Sequence, residues 1–328
     1  MSVIRTIHEQ PKQINMKLIE PKFEILEQAP GLEGMYNHIE RCGRVAYKSE
    51  DKITEDSANG FVERMKSNQH FSVLEHGTVY LKMNGNDVAS SFCKDDVNVD
   101  SVFNSHYTRV QCIGDVYYLT TNLRVIEECD AEPMLKYISE PTEYHEKRVT
   151  VRFNTDIGIS REFNRHRANS VTEMSTRYCN FSKDKFGNEL SVVPPIRARE
   201  QTETTLRDCR KYYGDDLQIL AALCNDVSGL AEEGEYDGSK EAFTAIDTWL
   251  FANFVSQWAY MRLTNKFGWS AQEARSVLPL DTATELVHTA YVSDWEHFFA
   301  LRCDSHAHPM ARELAIPLRE EFLKRRWI

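Results

Sequence analysis

Two short stretches, 77–83 and 149–153, alternate apolar and polar side chains residue by residue, and this alternation constrains the fold more than any other feature of the chain. In the first, Val79, Leu81 and Met83 stand against Thr78, Tyr80 and Lys82; in the second, Val149, Val151 and Phe153 repeat the pattern. A period of two belongs to a strand with one buried face. The expectation is that the two strands pair in one antiparallel sheet, with residues about 84 to 148 inserted between them. That segment opens on the turn-rich Asn84-Gly85-Asn86-Asp87 and contains a strand-like Val116-Tyr117-Tyr118-Leu119-Thr120-Thr121.

The second half reads as helical. Ser270 with Glu273, and Thr282 with Glu285, have the spacing of a capping box, in which hydroxyl and carboxylate satisfy the free amides of a helix start. Pro279 separates the two helices so begun, and a later helix from about 289 to 303 puts Trp295, Phe298 and Phe299 on one face. Residues about 200 to 240 are polar and charged and read as a second insertion. The expected class is α+β, as one domain over 1–328. A chain of 328 residues, 41 % hydrophobic, hides roughly three quarters of its unfolded surface, which excludes disordered and disulfide-stapled classes.

A net charge of −11 argues against a nucleic-acid partner, since such binding depends on a positive field at the phosphates. Any bound anion must therefore be met by a local cluster. No stretch reaches 18 uninterrupted apolar residues and the N-terminal residues carry no leader-like apolar run, so the expectation is a cytoplasmic protein without a membrane segment. The eight cysteines contain no Cys-x-x-Cys pair, and reduced thiols are expected.

The local cluster is conspicuous. Between 152 and 177 lie five arginines, no lysine and three acids, centred on Arg161-Glu162-Phe163-Asn164-Arg165-His166-Arg167. The planar guanidinium matches two oxygens of a phosphate or carboxylate, where an ammonium is a point charge. In a helix, Arg165 and Arg167 would point about 200° apart, so the cluster is better suited to surround a ligand than to form a stripe. The alternative is a solvated turn paired with Glu162 and Glu173. Arg275 and Arg302 fall on apolar stripes of their helices, where either an internal salt bridge or a shared anion would account for them. In His70-Phe71-Ser72-Val73-Leu74-Glu75-His76, Ser72 and Glu75 have capping-box spacing, leaving His70 and His76 as candidates for ligand contact or proton transfer.

Arg165-His166-Arg167, seven residues, then Ser175 resembles the signature of the flavin-dependent thymidylate synthases. The resemblance extends through Glu173-Met174-Ser175-Thr176-Arg177, upstream to His70-x-Ser72-x-x-Glu75-His76, and downstream to Ala274-Arg275-Ser276-Val277-Leu278-Pro279-Leu280 and Leu301-Arg302-Cys303-Asp304. It implies an α/β type fold with a central antiparallel sheet and long helices. It also implies reductive methylation of dUMP to dTMP, with methylenetetrahydrofolate as carbon donor and NADPH as reductant through FAD, in a homotetramer whose sites draw on several subunits. Carried over, Ser72, Arg165, His166, Arg167, Glu173 and His297 would contact FAD. Glu162, Arg165, Glu173, Met174, Ser175, Thr176, Arg177, Arg275 and Arg302 would contact dUMP. Arg302 would face the uracil and favour ionisation at N3, a catalytic role, and His70 would border the substrate pocket. Ser175 reads as a positioning donor, not a nucleophile. The chain departs from the family at Tyr291, Ser293 and His297, where Asn, Arg and Asn are frequent flavin contacts, at Glu162, often Gln, and at Thr172, commonly Asn.

Two other functions fit parts of the sequence. Asp304, His306 and His308 with the arginines would suit a metal-dependent nucleotide phosphohydrolase, although capping explains the histidines more simply. A non-catalytic nucleotide sensor would need the arginines alone.

Overall fold

The computed structural model describes residues 16–92, 98–196 and 245–328. The expected 200–240 insertion, Cys93, Cys209 and Cys224 lie outside the described residues. The chain divides into two compact units, one of residues 1–20 and 176–283, the other of 21–175 and 284–328. The described strands are β1 (Lys17–Leu18), β2 (Lys22–Leu26), β3 (Thr78–Asn84), β4 (Arg109–Ile113), β5 (Val116–Asn122), β6 (Arg148–Asp156), β7 (Ser170–Glu173), β8 (Ser191–Val192) and β9 (Ala283–Tyr291). Together with helices they make the α+β class expected. No helix among the described residues is long and apolar enough to cross a membrane.

The larger unit holds two sheets, one ordered β2-β6-β9-β7 and one ordered β3-β5-β4. The alternating stretches are strands as expected, with Val79, Leu81, Met83, Val149, Val151 and Phe153 all buried. Their pairing is not. All seven residues of β3 are matched by β5 from within the intervening segment, and β6 is flanked by β2 and β9. Both edges of β6 are therefore taken, and the segment expected as a plain insertion supplies the partners of β3.

Two cores hold this unit. Met35, Ile39, Val62 and Leu74 pack with Val79, Leu81, Leu119 and Ile126, fastening the three-stranded sheet to the helices Gly31–Gly43 and Ser57–Ser67. An aromatic cluster of Phe153, Phe163, Trp295, Phe298, Phe299 and Phe322 joins β6 to the helices Ile157–Phe163, Val292–Arg302 and Pro309–Lys324. Trp295, Phe298 and Phe299 share a buried face as expected, but their helix starts at Val292, because the preceding residues belong to β9.

The second expected capping box is overturned. Thr282 to Glu285 leads into β9, and the Glu285 carboxylate is taken by Lys48 and Arg152, with Arg152 Nε 2.9 Å away. Thr282 instead donates its hydroxyl to the Pro279 carbonyl at 2.7 Å. β-branched Thr284, Val287 and Thr289 suit the central strand that forms. The Ser270 box is present, although its helix is one turn, Ala271–Ala274. The Ser72 and Glu75 box is absent: the turn Phe71–Leu74 begins before Ser72, with His70 at the N-cap position and no side-chain capping bond, and Glu75 pairs with Arg124 at 2.6 Å.

In the smaller unit, β1 and β8 pair in parallel, and Trp249 donates to Asp281 at 2.5 Å from the helix Ala245–Asn265.

Candidate active site

Asp156 opens the helix Ile157–Phe163 by accepting from the Ile159 amide at 2.8 Å. The helix stops after two turns, and residues 164–169 form a tight turn. Because the chain is no longer helical there, Arg165 and Arg167 are both exposed at one cavity while His166 between them is buried, 7 % exposed. The cavity measures about 810 Å³ and is completed by Asp294, His297, Leu301 and Arg302 from the helix Val292–Arg302 and by the loop 304–307.

Arg302, the last residue of that helix, is the anchor. Its Nε donates to His166 Nε2 at 3.0 Å, Nη1 to Glu162 Oε2 at 2.8 Å and Nη2 to the Glu162 carbonyl at 2.5 Å. Three of its five N–H donors are thus committed and two remain. Since Nε2 of His166 accepts, the ring proton sits on Nδ1. Burial, and then the Arg302 charge, push the His166 pKa down to about 4, so the ring is neutral at pH 7. Burial also lowers the Arg302 pKa, against the pull of Glu162. The sequence left Arg302 between an internal salt bridge and an anion contact; the structure gives it the bridge and leaves donors over.

Glu173 ends β7, where Ser160 Oγ at 2.7 Å, Asn164 Nδ2 at 2.8 Å and Thr284 Oγ1 at 3.2 Å donate to it. Neither Glu162 nor Glu173 therefore neutralises the arginine turn. Among the described residues no carboxylate lies within ion-pair distance of Arg165 or Arg167. Met174 is buried and its amide donates to Glu285 O at 2.8 Å; the Ser175 amide donates to Ala46 O at 2.9 Å.

The other expected residues lie elsewhere. His70 and Ser72 are exposed and line a separate cavity of about 470 Å³ with Tyr47, Phe61 and Arg124. Thr176, Arg177 and Arg275 belong to the smaller unit, where Arg177 Nε donates to Gln272 Oε1 at 2.9 Å. Arg275 is exposed in the turn after Ala271–Ala274, not on a buried stripe, because that helix ends before it. His76 is no ligand candidate: it is fully buried between Thr289 Oγ1 at 2.8 Å and Thr172 Oγ1 at 2.9 Å. His306 is exposed beside Asp304 at 2.8 Å, and His308 caps the helix Pro309–Lys324 by accepting from Met310 N. Among the described residues no three side chains are grouped to hold a metal.

Sequence reasoning missed Asn164, Asn169, His288 and Arg148. His288 is buried between Asn169 Nδ2 at 3.1 Å and Asn164 Oδ1 at 3.3 Å, and Asn164 in turn holds Glu173, so these residues tie the arginine turn to β7 and β9. Arg148 is 9 % exposed at the start of an apolar strand, and that odd placement was the available signal.

A family model described as thymidylate synthase complementing protein matches residues 139–325. The flavin-dependent thymidylate synthase of Mycobacterium avium is 31 % identical over 163 residues, 48 % of this chain and 52 % of that protein. The flavin-dependent thymidylate synthase of Synechocystis sp. is 43 % identical over 51 residues, 16 % of this chain and 24 % of that protein. The chain thus spans about half or less of the curated relatives it matches. A solved UMP/dUMP methylase, PolB from Streptomyces cacaoi bound with 5-Br dUMP, superposes with a TM-score of 0.36 at 16 % identity over 95 % of this chain and 93 % of that one.

Proposed function

The chain belongs to the thymidylate synthase complementing protein family, and from that premise we propose that it is a flavin-dependent thymidylate synthase, methylating dUMP to dTMP with methylenetetrahydrofolate and NADPH through FAD. The observation that carries this reading is the grouping of Arg165, His166, Arg167, His297 and Arg302 around one large cavity, with Arg165 and Arg167 in no ion pair among the described residues.

The residues present fit FAD. A cavity of about 810 Å³ is within the range of small-molecule sites, and guanidinium forks with no carboxylate partner among the described residues suit its phosphates. Arg165, His166, Arg167 and His297 would hold it, with Ser72 and Glu173 as further contacts. When bound, FAD would relay the reducing equivalents of NADPH to the carbon taken from folate.

The protein's own part is orientation and charge. Glu162 and His166 fix the Arg302 fork, and its two remaining donors would meet the uracil where negative charge develops at N3. Met174, Ser175, Thr176, Arg177 and Arg275 would receive the rest of dUMP, and Ser175 would act as a donor that positions it. A homotetramer with sites assembled from several subunits belongs to the same reading. A cytoplasmic location is part of the same reading.

The test is optical and chemical. The purified protein should absorb in the flavin bands, bleach with NADPH, and form dTMP from dUMP and methylenetetrahydrofolate. A colourless protein that releases phosphate from nucleotides on addition of a divalent metal would overturn the reading.

A further inference from the structure

A second cavity of about 300 Å³ shares Arg167, Ala168 and Asp294 with the principal one. Its remaining wall includes His106, Tyr107, Arg109 and Asn122, all from the segment that precedes the family-matched residues, together with Arg148 and Tyr291.

Arg148 is the unusual member. It donates to Glu75 O at 3.0 Å, Ser170 Oγ at 3.1 Å and Thr78 Oγ1 at 3.3 Å, all neutral acceptors. No carboxylate among the described residues lies within ion-pair distance of it. A buried guanidinium in that position is costly unless an anion compensates it. Burial indeed pulls its pKa down.

The rest of the cavity is built to match. Tyr291 lies between Arg109 and Arg148, whose guanidinium carbons stand 4.6 and 5.6 Å from its ring centre, and its hydroxyl is fixed 2.9 Å from Tyr107 O and 2.6 Å from Thr120 O. Asn122 is 2 % exposed and spends its Oδ1 on the Val125 amide, leaving its amide N–H groups with no partner among the described residues. Glu146 lies 3.3 Å from Arg109 Nε, and among the described residues Asp294 is the one acid in the lining, against Arg109, Arg148 and Arg167. The cavity therefore presents three guanidinium groups and an amide, with one positive charge left over Asp294 and Glu146 together.

We propose that residues 106–122 build a phosphate subsite onto the family site, one that receives a phosphate group of a nucleotide cofactor whose remainder lies in the principal cavity. The phosphate chemistry stands on the geometry alone; that the nucleotide is FAD or NADPH rests on the proposed function.

The test is calorimetric titration of the full chain and of Arg109→Ala with inorganic pyrophosphate, FAD, riboflavin and NADPH. Arg109 is 39 % exposed in its side chain, so the variant should fold, which circular dichroism checks. The subsite predicts that Arg109→Ala weakens pyrophosphate by about tenfold or more, weakens one dinucleotide by a like factor, and leaves riboflavin unchanged. Whichever dinucleotide loses affinity is the one whose phosphate reaches Arg109. Arg109→Lys should recover part of the loss. If the variant binds pyrophosphate and both dinucleotides as the unaltered chain does, the subsite is overturned while the flavin reading stands. If the unaltered chain binds pyrophosphate in an Arg109-dependent way but binds no FAD, the subsite stands and the flavin reading falls.

Discussion

Acidification should destabilise this protein well above the pH at which its carboxylates titrate, because its core holds neutral histidines. His38 and His288 are buried, and burial is the main cause that lowers their pKa values to about 4 and about 3. In an unfolded chain each would titrate near the ordinary value of about 6.5. A depressed histidine pKa means that the unfolded state binds the proton first. Stability is therefore full above pH 6.5 or so and is lost as pH falls towards the folded value. Integrating to pH 5 costs roughly 2 kcal/mol for each of the two, about 4 kcal/mol together. His76 and His166, also lowered by burial, add in the same sense. Asp294, whose pKa burial raises, opposes them as a single group.

Against a total stability of about 5–15 kcal/mol, that loss is large. With a urea dependence near 3 kcal/mol/M, the midpoint should fall by roughly 1–2 M between pH ~7.5 and pH ~5. Urea titrations followed by circular dichroism at the two pH values measure it. The variant His38→Gln keeps a polar partner for Thr150 Oγ1, 2.9 Å from His38 Nε2, and removes one titrating group. It should be less stable near neutrality yet lose about one proton's worth of pH dependence. An unchanged midpoint at pH ~5, or a variant with the original slope, would refute the reasoning.

Other outcomes follow from the site. Arg302→Ala should abolish dTMP formation while FAD still binds, and should cost about 1–2 kcal/mol of stability. The cost sits below that of a fully buried pair because Glu162 is 34 % exposed and can be hydrated; surviving turnover would remove Arg302 from catalysis. Ser175→Ala should weaken dUMP binding in equilibrium titration and leave measurable turnover, whereas complete loss together with a trapped covalent adduct on the native enzyme would restore a nucleophilic serine. Glu173→Gln leaves three donors facing an amide that can accept at only one oxygen, so thermal melts should show a loss of roughly 1–3 kcal/mol, with FAD affinity falling alongside.

The site's arginines were legible because their chemistry is local: five within 152–177, spaced so that no helix could align Arg165 with Arg167. The strands were legible for a similar reason, since Val79, Leu81 and Met83 declare a buried face. A face does not name a partner, however, and β3 paired with β5 where β6 was expected. The Thr282 to Glu285 box failed because its carboxylate was worth more to Lys48 and Arg152, cations more than 130 residues away. The histidine network was illegible on the same ground. His38 meets Thr150 across 112 positions and His76 meets Thr289 across 213, and a histidine with a hydroxyl partner looks the same in sequence as one without.

That network also bears on the site. Thr150 and Thr289 hydroxyls lie 2.7 Å apart and link His38 to His76, while His288, the next residue along β9 from Thr289, grips Asn164 and Asn169 around the arginine turn. The same strand therefore carries core polarity on one face and support for the site on the other. Stability begins to fall below pH 6.5 or so because the unfolded chain takes up the histidine protons first, whereas His166 in the folded protein titrates near 4. His166 thus stays an acceptor for Arg302 from neutrality down to about pH 5, and over that range the orientation of the Arg302 fork is set by folding, not by pH.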